Sequence, residues 1–219
     1  MNRVLVISPH PDDDVIGMGG TIARMVSQGT RVSVLYVAPG ARATRTFEIS
    51  DGGMAELRES EAAKAAGLLG VSAFRFLRLE YPGEAEARPQ WDRAVRNAIA
   101  HTIDAVAPRE IYAPHPEESH RTHAAAAMAV LSVLREKARP GLTAYGYEIW
   151  TPIQKPDRFE DVTPFEDLKR RGIRAHESQV RDKAYEDGIM GLNRYRAVFY
   201  SPNKPDNCRY MEAFTTLHP

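Results

Sequence analysis

Two short clusters of histidine and acidic residues are the parts of this 219-residue sequence best suited to chemistry. The first is HPDDD at residues 10–14, and the second is HPEESHRTH at residues 115–123. His120 and His123 are three residues apart, so on the first turn of a helix their side chains share a face. Catalytic zinc takes three protein ligands, mixing imidazole nitrogen with carboxylate oxygen, and keeps one position open for water. The two clusters offer two histidines and one aspartate for such a site, with a further carboxylate to act as general base.

Helix capping is the alternative explanation of the first cluster. Aspartate is a good N-cap residue, and acidic residues suit the N-terminus of a helix. Capping needs one or two acids, whereas three neighbouring aspartates repel one another unless a cation lies among them. For the second cluster the alternative is a solvated pair of histidines at the end of a loop. The residues therefore favour metal-assisted hydrolysis if the two clusters meet in space.

The pattern of predicted elements brings them together. RVLVIS at Arg3–Ser8 is a continuous aliphatic run, typical of a strand buried on both faces in a parallel sheet. A helix at 17–28 and a strand at 31–38 complete a βαβ unit. The alternation continues with strands at 73–79, 110–113 and 142–150 and helices at 54–70, 91–106, 122–137, 165–176 and near 180–191. The tail CRYMEAFTTL is expected to form a last strand or a docked extension, and the region after 151 to depart from the alternation.

This alternation predicts one α/β domain over residues 1–219 with a mostly parallel sheet. Open α/β sheets bind ligands at the carboxyl ends of their strands. Both clusters follow strands at that edge, and two polar loops, at 39–53 and 80–90, do the same. We therefore expect the active site at the carboxyl ends of the strands.

Composition narrows the partners and the location. The sequence has 29 basic residues (Lys and Arg) and 29 acidic residues (Asp and Glu), so its formal net charge is zero. This balance argues against nucleic-acid or anionic-membrane partners. The apolar run near the N-terminus, VLVIS, is shorter than the core of a signal peptide and far shorter than a membrane span. The only cysteine, Cys208, excludes an intrachain disulfide and fits a reducing compartment. We expect a soluble cytoplasmic protein that acts on a small molecule, and the sequence leaves assembly into a homo-oligomer open.

Several motifs resemble those of one enzyme family. HPDDDVIGMGGT resembles the HPDDE…GGT signature of the PIG-L/LmbE-like zinc-dependent N-deacetylases, and ESHRTHAA resembles their D-x-H-P-D-H-x-A motif. ELRESEAAKAAGLLGV is similar to the family's E-x-R-x-x-E…A…LG helix. DVTPFEDLKRRGIRAHESQ and RYMEAF are similar to its two downstream segments. The motifs occur in the family's order over nearly the whole chain.

The resemblance implies a Rossmann-like three-layer fold and hydrolysis of an N-acetyl amide on a small glycoside or N-acetylglucosamine-type conjugate, with one Zn²⁺ per chain. The zinc ligands that it implies are His10, Asp13 and His123. Asp12 matches the general base, and His120 matches a histidine that stabilises the oxyanion or protonates the leaving amine. The substrate-binding residues that it implies are Arg58 and His176.

The sequence departs from the family pattern at two positions. Asp14 stands where the family usually has Glu, and no role follows for it. Thr122 stands where the family usually has an Asp that would orient His120. Glu117 or Glu118 is the nearby acid that could substitute.

Two other functions are compatible with parts of the pattern. A phosphoesterase would bind Mg²⁺ or Mn²⁺ at the aspartate run, because hard cations prefer oxygen ligands, although the histidines argue against it. A non-catalytic nucleotide-binding domain would use the Rossmann-like start of the chain. The glycines at 17, 19 and 20 do not form the G-x-G-x-x-G fingerprint that such a domain uses.

Overall fold

The computed structural model describes residues 2–42, 49–136, 140–181, 183–200 and 205–218. Seven strands occur in these ranges: β1 (Arg3–Ser8), β2 (Arg31–Tyr36), β3 (Ala73–Phe76), β4 (Glu110–Pro114), β5 (Thr143–Tyr147), β6 (Arg158–Asp161) and β7 (Met211–Thr216). They form one sheet in the order β3-β2-β1-β4-β5-β7-β6. The first five strands pair in parallel, whereas β7 is antiparallel to both β5 and β6. The predicted α/β class with a mostly parallel sheet is confirmed.

Helices cover both faces of this sheet. In the described ranges they are α1 (Asp13–Ser27), α2 (Asp51–Leu69), α3 (Arg88–Val106), α4 (Arg121–Glu136), α5 (Glu166–Arg174), α6 (Glu177–Val180) and α7 (Tyr185–Phe199). Helices α1, α2 and α5 pack together on one face, and α3 packs against α4 on the other, which gives the three layers expected. None of the described helices is both long and apolar enough to cross a membrane.

Strand β1 is the centre of the core. Its residues alternate between the two faces, so that Val4 and Val6 join one apolar cluster while Leu5 and Ile7 join the other. Complete burial of each such side chain contributes roughly 1.5–3 kcal/mol. β1 lies between β2 and β4, so the connections after β1 and β4 leave towards opposite sides of the sheet. This is the topological switch point, where open α/β sheets form their binding crevice.

Helix α1 begins at Asp13, four residues before the predicted start at 17, and it is kinked at Met18 (φ −147°, ψ 25°). The glycines that suggested a later start instead permit close packing. A Cβ atom on Gly17 would lie 2.2 Å from the ring of Tyr147, so only glycine lets the helix cross the end of β5. Asp13 and Asp14 therefore lie in the first turn of the helix, and Asp12 precedes them at the N-cap position.

Three strands end earlier than predicted. β3 stops at Phe76 and not at 79, because Arg78 has a positive φ of 57° that interrupts extended backbone. β5 stops at Tyr147 and not at 150, since the backbone N–H groups of Ile149 and Trp150 donate to the carboxylate of Glu118 and not to a neighbouring strand. β2 stops at Tyr36 and not at 38.

The region after 151 departs from the alternation, as expected. The tail forms strand β7, and it pairs with β6, a strand that the sequence did not reveal. The predicted helix at 165–176 ends at Arg174, and the one near 180–191 is replaced by α6 and the longer α7. Of the predicted helix at 122–137, residue 137 lies outside the described residues.

A buried ion pair joins the tail to the kink in α1. The carboxylate of Glu212 accepts hydrogen bonds from the backbone N–H groups of Gly20 (2.9 Å) and Thr21 (2.7 Å). It also accepts one from Lys169 Nζ at 2.6 Å, and the same ammonium donates to Asn193 Oδ1 at 2.8 Å. Both charged side chains are fully buried. Glu212 therefore satisfies donors that the kink leaves without helical acceptors.

Loss of this carboxylate is expected to destabilise the fold. Glu212→Gln leaves the Lys169 charge buried without a counter-ion, so the free energy of unfolding should fall by about 3–5 kcal/mol. Urea denaturation of the wild type and the variant measures this loss. Glu177→Gln removes the partner of an exposed pair with Lys64 and should cost no more than about 1 kcal/mol. Equal losses in the two variants would show that the buried pair is not important for stability.

Candidate active site

The loops after β1 and β4 open into a cleft of about 540 Å³ at the carboxyl ends of the strands. Six of the seven predicted site residues line it: His10, Asp12, Asp13, Arg58, His120 and His123. The loops after β2, β3 and β5 complete the wall with Gly40, Glu80 and Trp150 among others. A cleft of this size holds a small sugar conjugate. The two clusters, more than a hundred residues apart in the chain, therefore meet.

Three ligand atoms converge at the bottom of this cleft. His10 Nδ1 lies 3.1 Å from Asp13 Oδ2, His123 Nε2 lies 3.2 Å from the same oxygen, and the two ring nitrogens are 3.2 Å apart. The backbone N–H of His10 donates to that oxygen at 2.9 Å and holds it in place. Zinc ligands about 2.0–2.2 Å from a tetrahedral ion lie about 3.3–3.6 Å from one another. The donor atoms, 3.1–3.2 Å apart, lie within about 0.5 Å of this spacing, so small side-chain shifts would let the triangle hold a small tetrahedral cation.

The charges around the triangle favour a cation at its centre. Burial alone would raise the pKa of Asp13, but His123 and His10 beside it hold that pKa well below its usual range. Burial opposes the charged form of His123, yet Asp13 and Glu118 raise its pKa to about 9. A second, looser set consists of His10, His120 and His123, whose ring nitrogens lie within 4.8 Å of one another. The set with Asp13 has the tighter and more regular spacing.

Asp12 does not cap the helix. It occupies the N-cap position of α1, but its side chain makes no capping hydrogen bond. Its Oδ1 lies 2.9 Å from Nη2 of Arg58, and both side chains are buried. Asp12 also has a φ of 144°, which is strained for a residue other than glycine and is typical of functional sites. Burial raises the pKa of Asp12 to about 7, although Arg58 opposes the shift.

Asp14 is directed away from the cleft and anchors the turn to the sheet. It is fully buried, and its Oδ2 accepts a hydrogen bond from the hydroxyl of Tyr36 at 3.0 Å. Its backbone N–H donates to Ser8 Oγ at 3.1 Å. Burial raises the pKa of Asp14 to about 6, against the effect of the Tyr36 hydrogen bond. The three aspartates thus contact three different sets of partners.

His120 lies on the cleft beside the triangle. Its ring centroid is 5.1 Å from that of His10 and 4.4 Å from that of His123. Burial, followed by the charges of His123 and His10, lowers the pKa of His120 to about 4, so that its imidazole is neutral near pH 7. No carboxylate among the described residues hydrogen-bonds to the His120 ring. Thr122, which stands where the family usually has Asp, has no carboxylate to offer. The ring is therefore free to contact a bound substrate.

Glu118 orients His123, not His120. Its Oε2 lies 3.4 Å from His123 Nδ1, on the opposite side of the ring from the triangle. Its Oε1 accepts hydrogen bonds from the backbone N–H groups of Ile149 and Trp150. Burial would raise the pKa of Glu118, but hydrogen bonds from His115, His123 and the backbone lower it to about 2. The spacing of the motif offered Glu118 as a candidate but did not show which histidine it contacts.

Replacing this carboxylate is expected to weaken metal binding. Glu118→Gln removes the negative charge behind His123, and loss of such an orienting carboxylate typically lowers metal affinity about 10–100-fold. Competition with a chromogenic chelator measures the affinity. Glu117→Gln changes the exposed neighbouring acid and should leave the affinity unchanged. Equal affinities for the two variants would show that Glu118 is not required.

Arg58 and His176 lie below the rim of the cleft. Arg58 is 2 % exposed, and its guanidinium donates to the backbone oxygens of Gly40 and Pro11, both at 2.8 Å. A Cβ on Gly40, whose φ is +63°, would lie 2.2 Å from Arg58 Nη1, so glycine is required there. His176 is 1 % exposed and does not line the cleft, and neither ring nitrogen has a hydrogen-bond partner among the described residues. Burial and then Arg58 lower its pKa to about 3.

Comparison with known sequences identifies relatives of this chain. A family model described as PIG-L, GlcNAc-PI de-N-acetylase, matches residues 5–134, which is more than half of the chain. A diacetylchitobiose deacetylase from Thermococcus kodakarensis is 29 % identical over 195 residues, covering 85 % of this chain and 73 % of that protein. Both clusters lie within the range that the family model matches.

Solved structures share the whole fold. An N,N'-diacetylchitobiose deacetylase from Pyrococcus horikoshii matches with a TM-score of 0.76 and 26 % identity, covering 99 % of this chain and 84 % of that one. GalB, a 4-carboxy-2-hydroxymuconate hydratase from Pseudomonas putida KT2440, matches with a TM-score of 0.80 and 24 % identity, covering 100 % and 97 %. The second likeness concerns the fold alone. Since the fold is shared by proteins with different activities, the residues in the cleft must decide the reaction.

Proposed function

The chain belongs to the PIG-L (GlcNAc-PI de-N-acetylase) family, and from this premise we propose that it is a zinc-dependent hydrolase that removes the N-acetyl group from a small amino-sugar conjugate. The observation that carries the proposal is the triangle of His10 Nδ1, Asp13 Oδ2 and His123 Nε2 at the bottom of the cleft, which Asp12 also lines. The diacetylchitobiose deacetylase among the relatives supports an N-acetylated sugar as the substrate class.

His10, Asp13 and His123 would hold one zinc ion per chain, because they supply the mixed nitrogen and oxygen ligand set of catalytic zinc. When bound, zinc polarises the amide carbonyl and lowers the pKa of water at the site to about 7. Glu118 holds the His123 ring from behind and fixes which nitrogen faces the triangle. The backbone N–H of His10 fixes the ligand oxygen of Asp13.

Asp12 would act as the general base. It accepts a proton from water as the oxygen attacks the acetyl carbonyl, and it later gives that proton to the leaving amine, so that acetate and a free amine result. Arg58 Nη2 lies 2.9 Å from Asp12 Oδ1 and holds this carboxylate in the wall of the cleft. Arg58 also lines the cleft, so it would position Asp12 and contact the substrate as well.

His120 would stabilise the oxyanion that forms during the attack. A neutral imidazole donates a hydrogen bond to a developing negative charge without needing a second proton transfer. His120 faces the cleft next to the triangle, and its lowered pKa keeps the ring neutral near pH 7. For His176, which is buried beneath the cleft, the support for substrate contact is its position in the family motif only.

A panel of N-acetylated sugars tests the proposal. Methyl N-acetyl-β-D-glucosaminide, diacetylchitobiose and N-acetylglucosamine conjugates with larger aglycones are incubated with the protein, and acetate and free amine are measured in parallel. Equal amounts of acetate and amine, lost when a chelator is present, are the expected result. Release of phosphate from phosphoesters, or hydration of an alkene substrate, without amine release from any N-acetyl sugar would overturn the proposal.

A further inference from the structure

A second cavity, of about 440 Å³, adjoins the cleft. It is formed by the start of α1, by the segment that follows β5, and by the first half of α7. Trp150, Lys183 and Tyr185 line both cavities, so they form the boundary between them. A group attached to a substrate in the cleft would have to pass only this boundary to enter the second cavity.

The surface of the second cavity is mainly apolar. Its lining includes Ile16, Ile149, Pro152, Ile189 and Leu192, together with the Trp150 ring. The polar side chains at its edge already have partners within the protein. Glu148 pairs with Arg196, and Asn193 accepts a hydrogen bond from Lys169. Lys183, at the boundary, has its Nζ 5.8 Å from the Trp150 ring centroid and 5.7 Å from that of Tyr185. What remains for a ligand is therefore mainly apolar surface, which favours contact with hydrocarbon.

Trp150, one of the three boundary residues, lies beside His123 of the triangle. Trp150 is 39 % exposed, and its indole lies nearly parallel to the His123 ring, with the centroids 6.4 Å apart. Its backbone N–H donates to Glu118, the same carboxylate that contacts His123. The centroid of the Trp150 ring also lies 5.2 Å from that of the Tyr185 ring. The cavity thus begins one side chain away from a proposed metal ligand.

We propose that this second cavity binds an apolar group carried by the substrate, so that the enzyme prefers amphipathic N-acyl amino sugars over plain ones. This inference rests on the proposed function, because it takes the ligand of the second cavity to be part of the substrate. The apolar group has two chemical sources, an alkyl aglycone or a longer N-acyl chain, and both present hydrocarbon to the same surface. Burial of each further methylene in such a pocket favours binding by up to about fourfold.

Helix α7 provides a matched pair of test variants. Gly188 is exposed at the edge of the cavity and lines it, and a Cβ added there would meet nothing within 4 Å, so Gly188→Leu adds a large side chain to the cavity wall without a clash. Gly191 lies in the same helix, has the same open surroundings and does not line the cavity. Leucine suits a helix better than glycine at both positions, so both variants are expected to fold. Thermal melts monitored by circular dichroism verify this.

Two substrate series distinguish the sources. One keeps the acetyl group and lengthens the aglycone from methyl to butyl and hexyl; the other keeps the methyl glycoside and lengthens the acyl group from acetyl to butanoyl and hexanoyl. We expect kcat/KM for amine release to rise about tenfold or more along one series. The rise should be lost in Gly188→Leu and kept in Gly191→Leu. A flat response in both series, or a rise that persists in Gly188→Leu, would overturn the proposal.

Binding of a compound that lacks an amide tests the second cavity independently of the proposed function. If no glycoside releases amine, the proposed function fails, and isothermal titration with hexyl and methyl β-D-glucoside still decides the cavity. Wild type and Gly191→Leu should bind the hexyl compound at least about tenfold more tightly than the methyl compound, and Gly188→Leu should not. Equal binding of the two compounds by the wild type would contradict an apolar subsite.

Discussion

Asp12→Asn is expected to lower kcat for amine release by a factor of about 10²–10⁴ while the protein keeps its metal. The amide has nearly the shape of the carboxylate and still accepts a hydrogen bond from Arg58, which lies 2.9 Å away. It cannot take a proton from water, and this is the step assigned to Asp12. Steady-state kinetics with a saturating N-acetyl glycoside, together with metal analysis of the same samples, measures both quantities.

Asp14→Asn is the matched control for this substitution. It removes a negative charge from the same turn, but Asp14 faces Tyr36 and Ser8 and does not line the cleft. This variant should keep both metal and kcat close to the wild-type values. An Asp12→Asn protein with wild-type kcat would refute the role of general base. Loss of metal together with activity would instead make Asp12 part of the metal site.

Loss of a ligand from the triangle should abolish both metal binding and activity. His10→Ala and His123→Ala each leave two of the three converging atoms, so we expect less than a tenth of the wild-type zinc content after dialysis. Bound metal supplies several kcal/mol of transition-state stabilisation, which corresponds to a loss of at least about 10³-fold in kcat/KM. Inductively coupled plasma mass spectrometry and amine-release assays measure the two effects.

Thermal stability gives an independent readout of the same site. A ligand that binds only the folded state raises its stability in proportion to the logarithm of ligand concentration over Kd. Added zinc should therefore raise the Tm of metal-free wild type and not that of either histidine variant. His101→Ala, which changes an exposed histidine of α3, should respond as the wild type does. Full zinc content in His10→Ala and His123→Ala would show that the ligands are other residues.

The sequence predicted the fold well where local signals were strong. The alternation of aliphatic runs with helical segments in the first 150 residues specified the parallel part of the sheet, β1–β5, because both faces of β1 must be buried there. It did not reveal β6, whose residues Arg158–Asp161 are half-buried and show no apolar alternation. It also placed the start of α1 too late, since the role of Gly17 depends on Tyr147, which is 130 residues away in the chain.

The site was less accessible to sequence reasoning than the fold. The spacing of His10 and Asp13 predicted that they lie on one turn, and the parallel topology predicted that His123 lies near them. Neither feature predicts the distances between their ligand atoms. The partner of Arg58 and the burial of His176 follow from how α2 and α6 pack in the tertiary structure, which no local pattern encodes. The only sequence signal for the contact between Glu118 and His123 was that an acidic residue, Glu118 itself, lies two residues before His120. Such contacts depend on the course of the loops after β4 and β5.

Titration of zinc into metal-free protein tests the central claim most directly. Protein stripped with a chelator and dialysed is given increasing amounts of zinc, and the initial rate of amine release from an N-acetyl glycoside is measured at each step. We predict no rate without metal, a linear rise, and a plateau at one zinc per chain, set by His10, Asp13 and His123. Full activity in the metal-free protein, or a rate that does not respond to zinc while one equivalent binds, would contradict a zinc-dependent deacetylase.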